Sequence, residues 1–321
     1  MFRMSLVSRN EKVQQNKKTR KPVTDIYFKA FCCCSLLCLS VSASLLTEFS
    51  KNSEGIYPYN SLTIVPIVEL LKIIISVFLL FLSPLPNGSC TVTFQRFMMY
   101  SIPAVCYFVS NNCLFFIVSD LGATQFQILG NLKIIFNALF LRYFLKRRFK
   151  LHQWKGLTLL TLGVSLTQLE TISGAGSQEI RGYTVALLSC IASSFGGVYC
   201  EKLLKDDFNA VIHVANIQLY CWGCVFGILL LLISDRRFEF AYFFEGYSLV
   251  VICVILTLAL TGICVSYVVK HLDNIVKSFV TSFGIFATAI IRIQRGTEHL
   301  RHSFVIGLCV MTLSLGIYHK K

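Results

Sequence analysis

Four ionisable side chains lie inside stretches of the sequence that are otherwise apolar. Glu69 and Lys72 are three residues apart, while Lys133 and Lys277 occur in two further apolar stretches. A charged group in the middle of a membrane helix costs about 3 kcal/mol on insertion scales, so each of these residues indicates a partner or a ligand pathway. Glu69 and Lys72 share one helical face, which favours a structural ion pair between them.

Lys133 and Lys277 have no acidic residue at helical spacing. Two cations without an acidic partner indicate an anion-binding site, because an anionic ligand offsets the cost of placing them in a membrane. The competing interpretation is that both side chains extend to the cytosolic face and leave only their ammonium groups in water.

Amides and phenols accompany these cations in neighbouring apolar stretches. The clusters are Asn111 and Asn112, then Gln125 and Gln127, and then Tyr199, Asn216, Gln218 and Tyr220. Such groups hydrogen-bond to the edge of a nucleobase, stack on its face and bind ribose hydroxyls. A single amide is better explained by hydrogen bonds between helices. The whole set beside two cations favours a polar, anionic ligand.

The composition is that of a membrane protein. The 321 residues are 55% hydrophobic and only 14% charged, against about 25% charged in soluble domains. The net charge of +14 lies between the apolar runs rather than on one surface, which argues against nucleic-acid binding. The 14 cysteines lie mostly within apolar runs and are interpreted as small apolar residues, with palmitoylation of a few as the alternative. No zinc-type spacing occurs, and we expect no metal and no cofactor.

The apolar runs predict an all-α polytopic membrane protein with about ten transmembrane helices. The predicted spans are 26–48, 62–82, 97–119, 123–144, 152–171, 182–204, 211–233, 248–270, 273–292 and 303–319. With five basic residues at or within the spans set aside, 18 basic residues fall on the side of the N-terminal tail and 7 on the other. The five are Lys29, Lys72, Arg96, Lys133 and Lys277. The positive-inside rule therefore places both termini in the cytosol.

A weak internal repeat predicts how these helices are organised. Gly156-Leu157 with Thr161-Leu162 recurs as Gly307-Leu308 with Thr312-Leu313, in spans five and ten. Two halves of five helices have opposite orientations in the membrane, because five is odd. We therefore predict a cytosolic basic tail over 1–25, a first five-helix repeat over 26–171 and an inverted second repeat over 172–321.

Several motifs occur together in an order typical of one family. They are Gln127–Ile134 followed by a basic loop and Gln153-Trp154, then Gly197–Lys202, Asn216–Tyr220 and Asp273–Lys277. From about residue 25 onward the chain resembles the nucleotide-sugar transporter family. The resemblance is to the branch that carries CMP-sialate, UDP-galactose and UDP-N-acetylglucosamine.

The resemblance implies a central cavity and an exchange reaction. A cytosolic pyrimidine nucleotide sugar, of the UDP-N-acetylhexosamine, UDP-galactose or CMP-sialate type, is exchanged for a lumenal nucleoside monophosphate. The implied substrate-binding residues are Asn111, Gln127, Lys133, Tyr199, Asn216, Tyr220 and Lys277. The lysines are expected to bind phosphate, and the other residues to bind the base and the ribose. The expected location is the Golgi membrane, with the endoplasmic reticulum as second choice.

Two departures from the family pattern keep an alternative open. Phe126 replaces a tyrosine found in many relatives, and Ile291–Arg295 is basic on the predicted lumenal side. The chain is therefore either a transporter or a non-transporting membrane scaffold for glycosyltransferases, and a homodimer or a glycosyltransferase complex is a further expectation. An intramembrane enzyme is disfavoured, because no span contains a Ser-Lys, paired Asp or His-Glu-x-x-His arrangement and no catalytic residue is predicted.

Overall fold

The computed structural model describes residues 22–52, 57–83, 93–121, 129–166, 178–206, 211–234, 243–296 and 302–320. Within these ranges the chain is all α-helical and has no strand. The helices are α1 (Pro22–Phe49), α2 (Ser61–Leu82), α3 (Phe94–Met99), α4 (Ser101–Leu121), α5 (Lys133–Phe144), α6 (Leu151–Leu166), α7 (Gln178–Asp206), α8 (Ile212–Ser234), α9 (Leu249–His271), α10 (Asn274–Gln294) and α11 (His302–Tyr318).

Six of these helices are long and apolar enough to cross a membrane. Their apolar parts are Ile26–Phe49, Leu62–Leu82, Ile180–Asp206, Ile212–Ile233, Leu249–His271 and Asn274–Gln294. Each reaches the roughly 20 residues that span a hydrocarbon core of about 30 Å. The all-α, multi-pass class is thus confirmed. The total of ten spans stays a prediction, since α5 and α6 have 12 and 16 residues and residues 122–128 and 167–177 lie outside the described ranges.

Helix α2 illustrates how one helix separates lipid from the protein interior. Leu70, Ile74 and Phe78 are exposed at intervals of four residues, so they form an apolar stripe along one face. Lys72 and Ser76 are buried on the opposite face. The apolar stripe suits hydrocarbon, and the polar face is directed into the bundle.

Glycines bring α6 and α11 into close contact. A Cβ atom added to Gly156 would lie 2.9 Å from the Cβ atom of Tyr318, and one added to Gly163 would lie 3.1 Å from the carbonyl oxygen of Gly307. The contact moves backward along α11 as it moves forward along α6, so the two helices are antiparallel. Gly156 and Gly307 belong to the repeated motif, which therefore contributes to one closely packed helix pair.

The most extensive helix–helix contacts are related by an exchange of two sets of five helices. The extensive packing pairs are α2 with α8, α6 with α11, α4 with α7, α1 with α9, α5 with α7, α1 with α10, α4 with α8 and α2 with α9. Matching α1, α2, α4, α5 and α6 in order with α7 to α11 turns six of these pairs into other pairs of the set and leaves the first two unchanged. The first two pairs each unite a helix with its own counterpart.

Side-chain contacts define the two ends of the bundle. We call one of them the termini end: there Phe28, near the start of α1, packs against His271 at 5.2 Å between ring centres, and Arg147 forms an ion pair of 2.6 Å with Asp273. At the opposite end, Arg292 of α10 forms an ion pair with Glu48 near the end of α1.

Candidate functional site

A cavity of about 330 Å³ lies in the middle of the bundle. Helices α2, α4, α7, α8 and α9 form its walls. Its lining includes the polar or ionisable residues Glu69, Lys72, Tyr107, Asn111, Asn112, Cys200, Tyr220 and Ser266, together with apolar residues such as Leu62, Phe108, Leu219, Phe226 and Val265. A mostly apolar cavity with a few convergent polar groups is the usual form of a small-molecule site.

The Glu69–Lys72 ion pair forms part of the cavity wall. The Lys72 ammonium lies 2.5 Å from Glu69 Oε1 and 4.4 Å from the centre of the Tyr220 ring. Two glycines make room for the pair. A Cβ atom on Gly223 would lie 2.8 Å from Glu69 Oε2, and one on Gly262 would lie 2.7 Å from Lys72 Cδ. The pair on α2 therefore occupies space that α8 and α9 provide, and sequence patterns did not predict its place at the cavity.

Tyr220 and Asn216 lie one turn apart on α8, on the same helical face. The hydroxyl groups of Tyr220 and Ser266 are 3.2 Å apart, which ties α8 to α9 beside the cavity. Asn216 is buried, and its Nδ2 atom has no hydrogen-bond partner among the described residues. A buried donor without a partner costs about 1–3 kcal/mol. A polar ligand or water that accepts this hydrogen bond would recover that free energy.

Helix α4 contributes a second polar wall. Asn111 lines the cavity and is exposed to it, while the Nδ2 atom of Asn112 donates a hydrogen bond of 2.7 Å to the carbonyl of Phe108. Tyr107 lies one turn from Asn111 and also lines the cavity. The sequence prediction included Asn111 but missed Tyr107 and Ser266. Tyr107 could have been identified from the sequence, because it lies four residues before Asn111 and therefore on the same helical face.

Lys133 and Lys277 lie near each other, beside the central cavity rather than in its lining. Lys133 begins α5, and Lys277 is in the first turn of α10. Lys277 is in electrostatic range of Lys133, of the cavity residue Cys200 and of the Glu201 carboxylate. The Lys133 side chain is exposed, and that of Lys277 is half-buried. Neither forms a salt bridge with a described residue.

Tyr199 packs in a column of aromatic rings. Its ring stacks on Phe195 at 5.8 Å between centres, and Phe195 contacts both Phe140 and Phe144 of α5. Tyr199 directly precedes the cavity residue Cys200 in the sequence, but Tyr199 itself does not line the central cavity. The remaining predicted residue, Gln127, lies outside the described residues.

A buried polar network, not predicted from the sequence, continues from the lysines toward the termini end. Glu201 Oε2 accepts a hydrogen bond of 2.8 Å from the Asn274 amide, and Glu201 Oε1 pairs with Lys205 at 2.6 Å. Asn274 in turn donates to Asn137 Oδ1 at 2.9 Å. The network joins α5, α7 and the first turn of α10, which also carries Lys277. Asn137, a polar residue inside an apolar run, was the signal for it.

The ion pair between Arg147 and Asp273 lies just outside this network. Partial burial lowers the pKa of the Arg147 guanidinium, but attraction to Asp273 outweighs burial, so the pKa lies above its ordinary value. Asp273 also caps α10 by accepting a hydrogen bond of 2.8 Å from the Val276 amide. Arg147 therefore stays charged and fixes the start of the helix that carries Lys277. Among the described residues, no group of His, Cys, Asp or Glu side chains is arranged to hold a metal ion.

The fold and the cavity define a multi-pass helical membrane protein with a polar interior site. The family model for nucleotide-sugar transporters matches residues 24–319. The CMP-sialic acid transporter 1 of Arabidopsis thaliana is 30% identical over 298 residues, covering 88% of this chain and 87% of its own. The UDP-N-acetylglucosamine transporter of Rattus norvegicus is 32% identical over 275 residues, covering 78% and 82%.

A solved crystal structure is similar in fold, with a TM-score of 0.69 and 8% sequence identity over 91% of this chain and 97% of the other. The family match covers nearly the whole chain, and the chain belongs to the nucleotide-sugar transporter family. Membership in this family groups the chain with transporters rather than with enzymes, and the relatives described above are named as transporters of CMP-sialic acid and UDP-N-acetylglucosamine. The resemblance that the motifs indicated is thus confirmed.

Proposed function

We propose that the protein exchanges a pyrimidine nucleotide sugar for a nucleoside monophosphate across an internal membrane. The observation that carries the proposal is a pair of lysines that form no salt bridge with a described residue and lie beside the central cavity. Lys133 and Lys277 approach each other from α5 and α10, which places two positive charges next to a cavity of about 330 Å³. An anion that enters the cavity is the natural partner for both.

The nucleotide is oriented by the groups around these cations. The lysines bind phosphate, where charge-assisted hydrogen bonds are the strongest contacts that the site offers. Asn111 and Tyr220 line the cavity and bind the base and the ribose, and the unpartnered Nδ2 atom of Asn216 supplies a further donor. Tyr199 and Gln127 complete the proposed set. The relatives named above support a CMP- or UDP-linked sugar as the substrate.

Two inverted five-helix halves support alternating access to this site. The packing pairs exchange when the two sets of five helices are exchanged, and α6 is antiparallel to its counterpart α11. A twofold axis in the membrane plane produces both features. Such a carrier opens to one side at a time, with both termini in the cytosol and the Golgi membrane as its location, ahead of the endoplasmic reticulum.

The basic end of α10 favours transport over the scaffold alternative. Helix α10 continues through Arg292 to Gln294, and Arg292 pairs with Glu48 of α1 at 2.7 Å. The divergent segment is therefore accommodated by a partner on another helix and does not interrupt the bundle. A glycosyltransferase complex or a homodimer remains a prediction compatible with transport.

Proteoliposomes test the proposal directly. The purified protein is reconstituted into vesicles that are empty or preloaded with UMP or CMP, and uptake of labelled UDP-N-acetylglucosamine, UDP-galactose and CMP-sialate is measured. We expect one of these substrates to enter faster than the others, and mainly into vesicles that contain the matching monophosphate. Equal uptake by loaded and empty vesicles would exclude preferred exchange. The absence of uptake for the whole panel would favour the scaffold.

A further inference from the structure

A second cavity, of about 440 Å³, lies at the opposite end of the bundle. It is formed by the last turns of α1, the segment that follows α1, and one residue each from α9 and α10. Its lining residues are Ala43, Ser44, Thr47, Glu48, Lys51, Tyr57, Leu258 and Arg292. It shares no lining residue with the central cavity, so it is a separate site.

Positive charge prevails in the lining of this cavity. Arg292 donates from Nε to Glu48 Oε2 at 2.8 Å, and both side chains remain more than one-third exposed. The ammonium group of Lys51 lies 5.2 Å from the centre of the Tyr57 ring. Two cations and one carboxylate therefore face the same space, and the carboxylate already contacts one of the cations.

These groups suit an organic phosphate. Guanidinium and ammonium groups bind phosphate oxygens through charge-assisted hydrogen bonds, and Ser44 and Thr47 add hydroxyl groups to the lining. Burial and the nearby Glu48 carboxylate both raise the pKa of Tyr57, so its phenol stays neutral and able to donate. An aromatic ring beside the two cations offers a flat surface for a base or for the glycerol portion of a lipid.

We propose that this cavity is a second binding site for an organic phosphate, with Lys51 and Arg292 as its anion-binding residues. Glu48 is the internal carboxylate that contacts Arg292 when no ligand is bound, and an incoming phosphate competes with it. The basic end of α10, which departs from the family pattern, thereby acquires a role.

Two sources supply this chemistry: a nucleoside monophosphate that enters the carrier through this end, and the headgroup of an anionic phospholipid. The first rests on the proposed exchange function, whereas the second does not.

Binding to the purified full-length protein tests the site. Saturation binding of labelled UMP is measured in phosphatidylcholine nanodiscs, and retention of phosphatidic acid is measured by native mass spectrometry. A Lys133→Ala/Lys277→Ala background weakens the central site so that the second one is observed separately. We expect Lys51→Gln to weaken UMP binding or phosphatidic acid retention about fivefold, the size of a partly exposed charge contact. We expect a similar loss for Arg292→Gln.

Two further variants distinguish the loss of a binding contact from misfolding. Glu48→Gln removes the competing carboxylate, so binding of the phosphate probe should become about fivefold tighter, which misfolding cannot imitate. Arg295→Gln is the matched control: its guanidinium lies over the Phe49 ring at 4.4 Å and does not line the cavity, so binding should not change.

The outcomes separate the two sources from each other and from the exchange function. UMP binding that follows this pattern supports the nucleotide source, and phosphatidic acid retention that follows it supports the lipid source. If the double-lysine background binds nucleotide as the wild type does while lipid retention follows the pattern, the proposed central site fails and this one stands. If neither probe responds to Lys51, Arg292 and Glu48, the second site is wrong.

Discussion

Replacing Lys72 with alanine should destabilise the protein, because Glu69 would lose its partner inside the bundle. The side chains of Lys72 and Glu69 are only 11% and 18% exposed, and their charged atoms are 2.5 Å apart. Removal of one member of a buried ion pair costs about 3–5 kcal/mol in soluble proteins, since the remaining charge is uncompensated. Loss of the contact with the Tyr220 ring adds to this effect.

The double variant Glu69→Ala/Lys72→Ala provides the decisive comparison. It removes both charges, so it should recover a large part of the stability that Lys72→Ala loses, with a coupling energy of about 1–3 kcal/mol. Thermal unfolding in detergent, followed by tryptophan fluorescence or by aggregation, measures all three variants. The structural role would be refuted if Lys72→Ala unfolds at the wild-type temperature, or if the double variant is no more stable than the single one.

The same samples reveal whether the ion pair also serves the ligand. Lys72 lines the central cavity, so an incoming phosphate competes with Glu69 for its ammonium group. Addition of UMP or CMP to the double variant should still raise the unfolding temperature if the pair is only structural. If this ligand-induced stabilisation is lost while unfolding without ligand stays close to that of the wild type, Lys72 also binds the ligand.

Three other perturbations test separate parts of the structure. Lys133→Ala and Lys277→Ala should each weaken nucleotide binding at least tenfold, because the loss of one charge-assisted contact exceeds the ~1.4 kcal/mol that a tenfold change in affinity requires. If UMP or CMP stabilises these variants as much as the wild type, the two lysines have a structural role instead. Gly163→Ala should lower the stability by about 1–3 kcal/mol through overpacking against α11, while Gly316→Ala, which meets nothing within 4 Å, should not. Asn87-Gly88-Ser89 is an acceptor pattern for N-glycosylation. It lies outside the described residues, in the predicted cytosolic loop between spans two and three, so we expect no modification. A glycosidase-sensitive mass shift that Asn87→Gln abolishes would reverse the predicted orientation.

The six helices that are long enough to cross a membrane were predictable, because the length of an apolar run defines each of them. A run of apolar residues must be long enough to cross the hydrocarbon, and this requirement acts on each segment independently of the others. The second predicted span, 62–82, coincides with α2 at Ser61–Leu82, and the ninth, 273–292, with α10 at Asn274–Gln294. The Asp273 cap and the preceding apolar run fix where α10 begins, so the first residue of this helix could be predicted from the neighbouring sequence alone.

The arrangement of the site was less predictable, because it depends on which helix faces meet. Spacing indicated that Glu69 and Lys72 share one face, but Gly223 and Gly262 are about 150–190 residues away in the sequence and only the fold brings them there. Likewise, Lys133 and Lys277 were identified as cations without local partners, while their approach to each other requires α5 and α10 to converge. Periodicity describes one helix at a time, and a binding site is a property of several.

The charges inside the bundle give the proposed exchange a physical cause. Glu69 and Lys72 neutralise each other, whereas Lys133 and Lys277 form no salt bridge with a described residue and act on each other electrostatically. An empty carrier that reorients must move two positive charges within the membrane, where placing each charge in a low-dielectric environment costs free energy. A nucleoside monophosphate carries about two negative charges at neutral pH, since its second phosphate pKa is near 6, and the diphosphate of a UDP-sugar carries a similar charge. Under the proposed function either ligand would cancel the charge of the lysines, so the loaded carrier would reorient more readily than the empty one, and this difference would couple entry of one ligand to exit of the other.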